Sequence, residues 1–235
     1  FVLAVHCSWG TDYGQPADAP LWCAFLDSLG SAGILSIAAT ANNPVNVDQV
    51  GDLPTTCPSD YLISVTSLTK ADLKAPDAAW GATHIDLGAY GQGVFTAGAN
   101  NSYGAYTGTS FASPQVAGAL GLLYSSPCPN LISLAKTDPA AAALWARQLI
   151  LDGTDPNAAM QGITATNGRL NLNTMLLEYE NQCNPCPAPF ALYSQEVTTT
   201  SALLKWSEIA DFQSVKLRWR VVGAPAWNET DDVTN

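Results

Sequence analysis

The run Gly108-Thr-Ser110-Phe-Ala-Ser-Pro114-Gln-Val-Ala-Gly118 holds the residue types best suited to covalent chemistry in this chain. A hydroxyl follows a glycine that permits a tight backbone, and small Ala112 and Ser113 let the segment approach other elements closely. From Gly108 to Tyr124 the sequence reads as a turn leading into a helix that is apolar on every side, which marks a buried helix. Pro114 suits the first turn of that helix. A Ser at the mouth of such a helix has its Oγ held at a fixed point, and the free N–H groups and partial positive charge of the terminus face any oxyanion forming there. The same pattern also fits a Ser capping an ordinary core helix, and spacing alone does not choose between the two. Of the two histidines, His6 lies within the first strand and His84 beside the segment before Tyr90, and both read as structural. The loop Asn42-Asn-Pro-Val-Asn46-Val-Asp48 offers oxygen donors at short spacing for a structural calcium ion, and a solvated loop is the plainer reading. Asn100-Asn-Ser102 and Asn228-Glu-Thr230 match the glycosylation acceptor pattern, which chance also produces.

The elements that must carry these residues follow from periodicity. Residues 1–8 form an apolar run ending in Ser8-Trp9-Gly10, a buried parallel strand. Trp22, Phe25, Leu26 and Leu29 recur at helical spacing over residues 21–32, and residues 33–39 form a second short apolar run. Strand, helix and strand in such a short span make a βαβ unit and hence a parallel sheet. Further strands are expected at 61–68 and from Ile85, and further helices at 139–151 and 170–178. Residues 87–135 contain no Asp, Glu, Lys, Arg or His, and the helix bearing Ser110 lies inside that neutral stretch. After Glu180 the texture changes. Asn181-Gln-Cys-Asn-Pro-Cys-Pro-Ala-Pro189 reads as a Cys/Pro linker, and residues 201–206 and 215–221 then alternate with period two, as half-buried antiparallel strands do.

Composition bounds the partners. The chain has 235 residues, 47% of them apolar, and a net charge of −11. It can bury a real core and is not a disordered chain. Nine basic residues against twenty acidic ones offer no cationic surface for phosphates, so nucleic acid and anionic membranes are poor partners. No apolar stretch is long enough to span a bilayer. Six cysteines in a weakly charged sequence imply an oxidising compartment and disulfides, with the pairing open. Cys183-Asn-Pro-Cys186 lacks the neighbouring ligands of a zinc site and reads as a staple within the linker. The opening Phe-Val-Leu-Ala-Val, inside an apolar run, reads as a piece of a longer chain.

Gly108-Thr-Ser110-Phe-Ala-Ser-Pro-Gln-Val-Ala-Gly118 resembles the nucleophile signature of the subtilisin-like serine proteases, the subtilases (peptidase S8). Other segments resemble the family in its order: Val5-His-Cys-Ser-Trp-Gly10, Ile34-Leu-Ser-Ile-Ala-Ala-Thr-Ala-Asn42, Asp86-Leu-Gly-Ala-Tyr-Gly91 and Gly168-Arg-Leu-Asn-Leu172. The resemblance implies an α/β fold, a subtilisin-like parallel sheet with helices on both faces, over residues 1–182. It implies that Ser110 is the nucleophile and that Asn42 donates its amide to the oxyanion with the Ser110 N–H. Ser8, Trp9, Gly10, Ala39 and Thr40 then wall the pocket for the residue preceding the scissile bond. Ala41 stands where the family usually has Gly, Tyr90 where it usually has Pro, and Gln115 where it often has His. The family's catalytic Asp and His would lie upstream of Phe1, in an N-terminal part of the same protein; without them Ser110 is a weak hydroxyl. No cofactor is required, calcium being at most a structural ion, and the substrates are polypeptides. Residues 183–188 make the linker, and residues 189–235 resemble the N-terminal half of a fibronectin type III domain, a partial β-sandwich. The implied setting is a secreted or cell-surface protein, of bacterial origin. The competing reading is a catalytically inactive subtilase-like scaffold in an extracellular structural or adhesive assembly.

Overall fold

The computed structural model describes residues 2–126, 128–183, 190–198, 200–201, 203–207, 216, 218–220, 226 and 228–230. They belong to two compact units, residues 1–183 and 184–235. In the first unit the chain runs β1 (Ala4–Cys7), β2 (Thr11–Asp12), α1 (Pro20–Ser31), β3 (Leu35–Ala39), α2 (Val47–Val50), β4 (Asp52–Leu53), β5 (Leu62–Leu68) and β6 (Leu87–Tyr90). It continues through β7 (Val94–Gly98), β8 (Ser102–Tyr106), α3 (Thr109–Ser125), α4 (Pro129–Thr137), α5 (Pro139–Asp152), β9 (Asp155–Pro156), β10 (Gly168–Arg169) and α6 (Leu172–Cys183).

The apolar runs of β3 and β5 are buried along their whole length, as strands covered on both faces must be. They occupy the middle of a six-stranded sheet of order β1-β3-β5-β6-β10-β9. Neighbours from β1 to β10 pair in parallel, and β9 joins antiparallel at the far edge. Alternation sends Leu35, Ile37, Ile63 and Val65 to one face, where they pack on Val116, Leu120 and Leu123 of α3 and Ala146 and Leu149 of α5. Cys7, Ala38 and Leu62 meet Cys23 and Leu26 of α1 on the other. Helices therefore cover both faces, the α/β arrangement expected.

Four local expectations change. Helix α1 buries Cys23, Leu26 and Gly30, while Phe25 is 57% exposed. Phe25 lines an open apolar groove of about 240 Å³ with Val5, Trp9, Trp22 and Leu29. Helix α3 is not apolar and buried all round. Its outer side is Pro114, Gly118 and Gly121, all exposed, so small residues rather than burial explain the missing polar face. Pro114 lies inside α3 rather than in its first turn, because the helix already begins at Thr109. The neutral stretch also contains more than the buried helix. Its β7 and β8 form an exposed hairpin in which Phe95 and Tyr103 stack with ring centroids 6.3 Å apart.

Cys23 pairs with Cys57, and Cys183 pairs with Cys128, not with Cys186. Helix α6 runs on to Cys183 and delivers it to Cys128 at the N-terminus of α4, so the thiol staples two helices rather than a linker. Cys7 is free and buried, and Cys186 lies outside the described residues. In the second unit β11 (Phe190–Gln195) pairs antiparallel with β12 (Leu203–Ser207), and β13 (Arg218–Trp219) with β14 (Asn228–Glu229). Among the described residues no helix is long and apolar enough to cross a membrane.

Candidate active site

Ser110 is the second residue of α3, and the helix cap is Gly108 at φ +150° and ψ 158°. That φ strains any residue with a Cβ, and a Cβ there would also meet Asn42 Oδ1 at 3.3 Å. The Gly108 N–H donates to Gly91 O at 2.9 Å, fixing the turn against the end of β6. Pro114 then has a consequence at the site. It lacks the N–H that would bond to the carbonyl four residues back, which is that of Ser110. Ser8 Oγ donates to this free carbonyl at 3.1 Å, so the segment after β1 is tied to the start of α3.

Asn42 follows β3 and sits across the same turn. Its Oδ1 accepts from Thr109 N at 2.9 Å and lies 3.2 Å from Thr109 Oγ1. Thr109 Oγ1, fully buried, also reaches Thr40 O at 2.5 Å. The hydroxyl's one proton goes to Thr40 O, so Thr109 N holds the carbonyl end of the amide; its NH₂ end is the part left to donate, and among the described residues it has no protein acceptor. Ser110 Oγ lies 3.4 Å from Ser8 O and makes no hydrogen bond to a histidine.

His6 is nearer to this site than its sequence context suggests. Its Nε2 lies 2.7 Å from Ser113 Oγ and 2.9 Å from Ser8 Oγ, so it braces β1 and the pocket wall against α3 instead of facing Ser110 Oγ. Burial lowers its pKa and keeps the imidazole neutral. His84 is remote in role: its Nδ1 pairs with Asp48 Oδ1 at 2.8 Å. That carboxylate also accepts from the backbone N–H groups of Thr83 and His84, while Asn46 Oδ1 caps α2 through Asp48 N. In the 42–48 loop, Asn42 Oδ1, Asn46 Oδ1 and the Asp48 carboxylate thus each accept hydrogen bonds from within the fold.

The pocket beside Ser110 measures about 90 Å³ and is lined by Ser8, Trp9, Gly10, Asp12, Ala39, Thr40, Ala41, Asn42, Asp52 and Ser110. All seven residues singled out in the sequence therefore come together. Gly10 is required by close approach, since a Cβ there would lie 2.1 Å from Leu53 O. Trp9 stacks on Trp22 with centroids 5.2 Å apart and is 62% exposed. No sequence pattern marks Asp12, Ala41 and Asp52 as a set. The antiparallel bridge between β2 and β4 puts Asp12 directly opposite Asp52. Asp52 Oδ2 accepts from Thr55 Oγ1 at 2.5 Å and from Ala41 N at 3.1 Å. Burial, chiefly, and the charge of Asp12 push the Asp52 carboxyl up to about 6 against the pull of those two bonds.

The departures from the motif also have local partners. Gln115 Nε2 donates to Tyr90 O, tying α3 to β6, and Tyr90 OH donates to Asp72 Oδ1 at 2.6 Å under the Arg169 guanidinium. Asp86 is held by Arg147 at 2.7 Å and by Ser64 N at 2.8 Å. Burial raises its pKa, with Arg147 opposing.

A helix N-terminus bearing Ser, faced by an Asn amide, is thus mounted on a parallel α/β sheet with helices on both faces. Residues 4–168 match the subtilase family, peptidase S8, and the chain belongs to that family. It is 36% identical over 145 residues to the extracellular protease of Xanthomonas campestris pv. campestris, covering 52% of this chain and 24% of that one. To the subtilisin-like protease 2 of Plasmodium falciparum it is 30% identical over 124 residues, or 52% of this chain and 9% of that one. The chain thus spans a minor part of these relatives. Among solved structures, the A-subunit of an AB5 toxin from E. coli shares the fold at a TM-score of 0.62 and 18% identity, over 75% of this chain and 60% of that one.

Proposed function

We propose that this chain is the Ser-bearing part of a secreted serine endopeptidase. Ser110 Oγ attacks a peptide carbonyl, and Asn42 Nδ2 and the Ser110 N–H stabilise the tetrahedral oxyanion. Ser8, Trp9, Gly10, Ala39 and Thr40 hold the side chain preceding the scissile bond. The observation that carries the reading is the hydrogen bond from Thr109 N to Asn42 Oδ1, which leaves the donor end of the amide free beside Ser110. Ser110 needs a base to become nucleophilic. His6 is committed to Ser8 and Ser113 and His84 to Asp48, and the resemblance to the subtilases puts the Asp and His of the triad in a segment upstream of Phe1. The open edge of β1 and the apolar groove beside α1 supply surface on which such a segment can pack. Two disulfides and an acidic, weakly charged composition support secretion. The antiparallel pair β11 and β12 after the linker agrees with the start of a fibronectin type III module.

A fluorophosphonate probe on the protein with its upstream segment tests this reading. Ser110 is labelled, Ser110→Ala is not, and Asn42→Ala lowers kcat by about 10² to 10³, the magnitude known for the equivalent donor in subtilisin. A folded protein whose Ser110 stays unlabelled belongs instead to the inactive-scaffold reading.

A further inference from the structure

We propose that Asp52, assisted by Asp12, makes the pocket beside Ser110 select a positively charged side chain, Lys or Arg, at the residue preceding the scissile bond. The inference rests on the peptidase reading above and names its substrate class.

Three observations converge. First, Asp52 is only 3% exposed, yet it lines the pocket. Both hydrogen bonds to its carboxyl, from Thr55 Oγ1 and Ala41 N, go to Oδ2, and among the described residues Oδ1 accepts none. A carboxylate so buried, with one oxygen unpartnered, carries a large desolvation cost that a cation relieves. Second, Asp12 is the direct cross-strand partner of Asp52 in the β2–β4 bridge and lines the same pocket. Like charges directly opposite destabilise a strand pair, and a positive group between them reverses the sign of that interaction. Asp12 Oδ2 takes one hydrogen bond from Asn43, a neutral donor that leaves its charge uncompensated. Third, the pocket lining contains no Lys, Arg or His, so among the described residues no side chain of the lining neutralises the pair.

Selection works by difference. An ammonium or guanidinium entering the pocket meets the carboxylates of Asp52 and Asp12 that line it. A Leu or Phe side chain would bury the same carboxylates without a partner, and it is rejected for that reason. The alternative role of Asp52 is bracing alone, since its bond to Ala41 N steadies the loop that bears Asn42. The test therefore reads a ratio rather than an activity, because a brace acts on every substrate alike.

Matched peptides differing only in the residue before the scissile bond are assayed with the full protein, including its upstream segment, at pH 7.5. The expected kcat/KM for Arg and Lys exceeds that for Leu and Phe by at least about tenfold. Asp52→Asn, which keeps an acceptor for Thr55 and Ala41, lowers the Arg-to-Leu ratio by at least about tenfold, and Asp12→Asn lowers it by a smaller factor. Should Asp52→Asn fail to fold in a thermal melt, Asp12→Asn and the fall of the wild-type ratio with added salt carry the test. A wild-type protein that labels at Ser110 but cleaves Leu as well as Arg overturns the pocket assignment and leaves the peptidase reading standing. Equal losses on both substrates in Asp52→Asn overturn it in favour of bracing. A protein that neither labels nor cleaves removes both readings.

Discussion

At the scale of single residues, hydrogen-bond capacity decides what each polar group near Ser110 can still do. Asn42 Oδ1 is taken by Thr109 N, and the Ser110 carbonyl, freed by Pro114, is taken by Ser8. Ser110 and Asn42 are legible in the sequence because a long local motif surrounds one and an apolar strand ends at the other. Asp52 is not. An Asp in Gly51-Asp-Leu-Pro54 carries no local pattern, and its meaning arises only when β4 pairs with β2 and meets Asp12. Its carboxyl, pushed up to about 6 by burial and by Asp12, gives a signed prediction. The folded state binds this proton more tightly than the unfolded chain. Asp52 therefore contributes stability that is fully present below about pH 4 and is lost as pH rises through about 6. The ceiling is on the order of 3 kcal/mol, since each tenfold change in proton affinity is worth about 1.4 kcal/mol. Urea unfolding of the wild type and Asp52→Asn at pH 4, 5, 6 and 7 checks it. The difference between them grows in favour of Asn across that window, and parallel profiles would show that Asp52 does not titrate there. Opposing groups such as Asp48, whose pKa His84 and the nearby N–H groups lower, are common to both proteins and cancel.

At the scale of elements, the sheet is the most readable part, since uninterrupted apolar runs bounded by turns admit few alternatives. Strands β1, β3, β5 and β6 fall within or beside the residues expected. What escapes are elements whose residues carry weak periodicity: the two-residue strands β2 and β4, helix α4, and the neutral but exposed hairpin of β7 and β8. Absence of charge suggests burial there, yet Phe95 is 74% exposed, so the neutral stretch is in part a surface. The motif predicts helix α3 as the mount of Ser110, but its outer side is built of Pro114, Gly118 and Gly121. How α3 begins matters more to the site than how it continues. Gly108→Ala puts a Cβ at φ +150° and presses it towards Asn42 Oδ1. The expected cost is about 1–3 kcal/mol in urea unfolding. Fluorophosphonate labelling of Ser110 is expected to slow as well, because the turn that aligns Ser110 with Asn42 must shift. Unchanged stability and an unchanged labelling rate would show that the turn does not set the alignment.

At the scale of the whole first unit, two disulfides tie together parts that the sheet does not. Cys23–Cys57 links α1 to the segment between β4 and β5, close to Asp52, and closes a separation of 34 residues. Cys128–Cys183 links the start of α4 to the end of α6 across 55 residues. Neither pairing is readable from cysteine spacing, because the partners are brought together by βα crossovers and helix packing rather than by local sequence. Each crosslink removes chain entropy from the unfolded state, by about 4 kcal/mol for loops of this length in the loop-closure account. Their places in the fold separate their effects. Cys128→Ser with Cys183→Ser frees the end of α6, which contributes no residue to the pocket lining, and is expected to lower the thermal midpoint while leaving selectivity among peptides intact. Cys23→Ser with Cys57→Ser loosens the segment that leads from Asp52 into β5. It is expected to lower the midpoint by a similar amount and also to reduce the Arg-to-Leu ratio. Thermal melts of both double variants, with peptide cleavage measured well below either midpoint, distinguish the two. If both variants retain the wild-type ratio, the pocket is held by β2, β4 and the Thr55 and Ala41 bonds alone. The Cys23–Cys57 bridge then serves stability and not specificity.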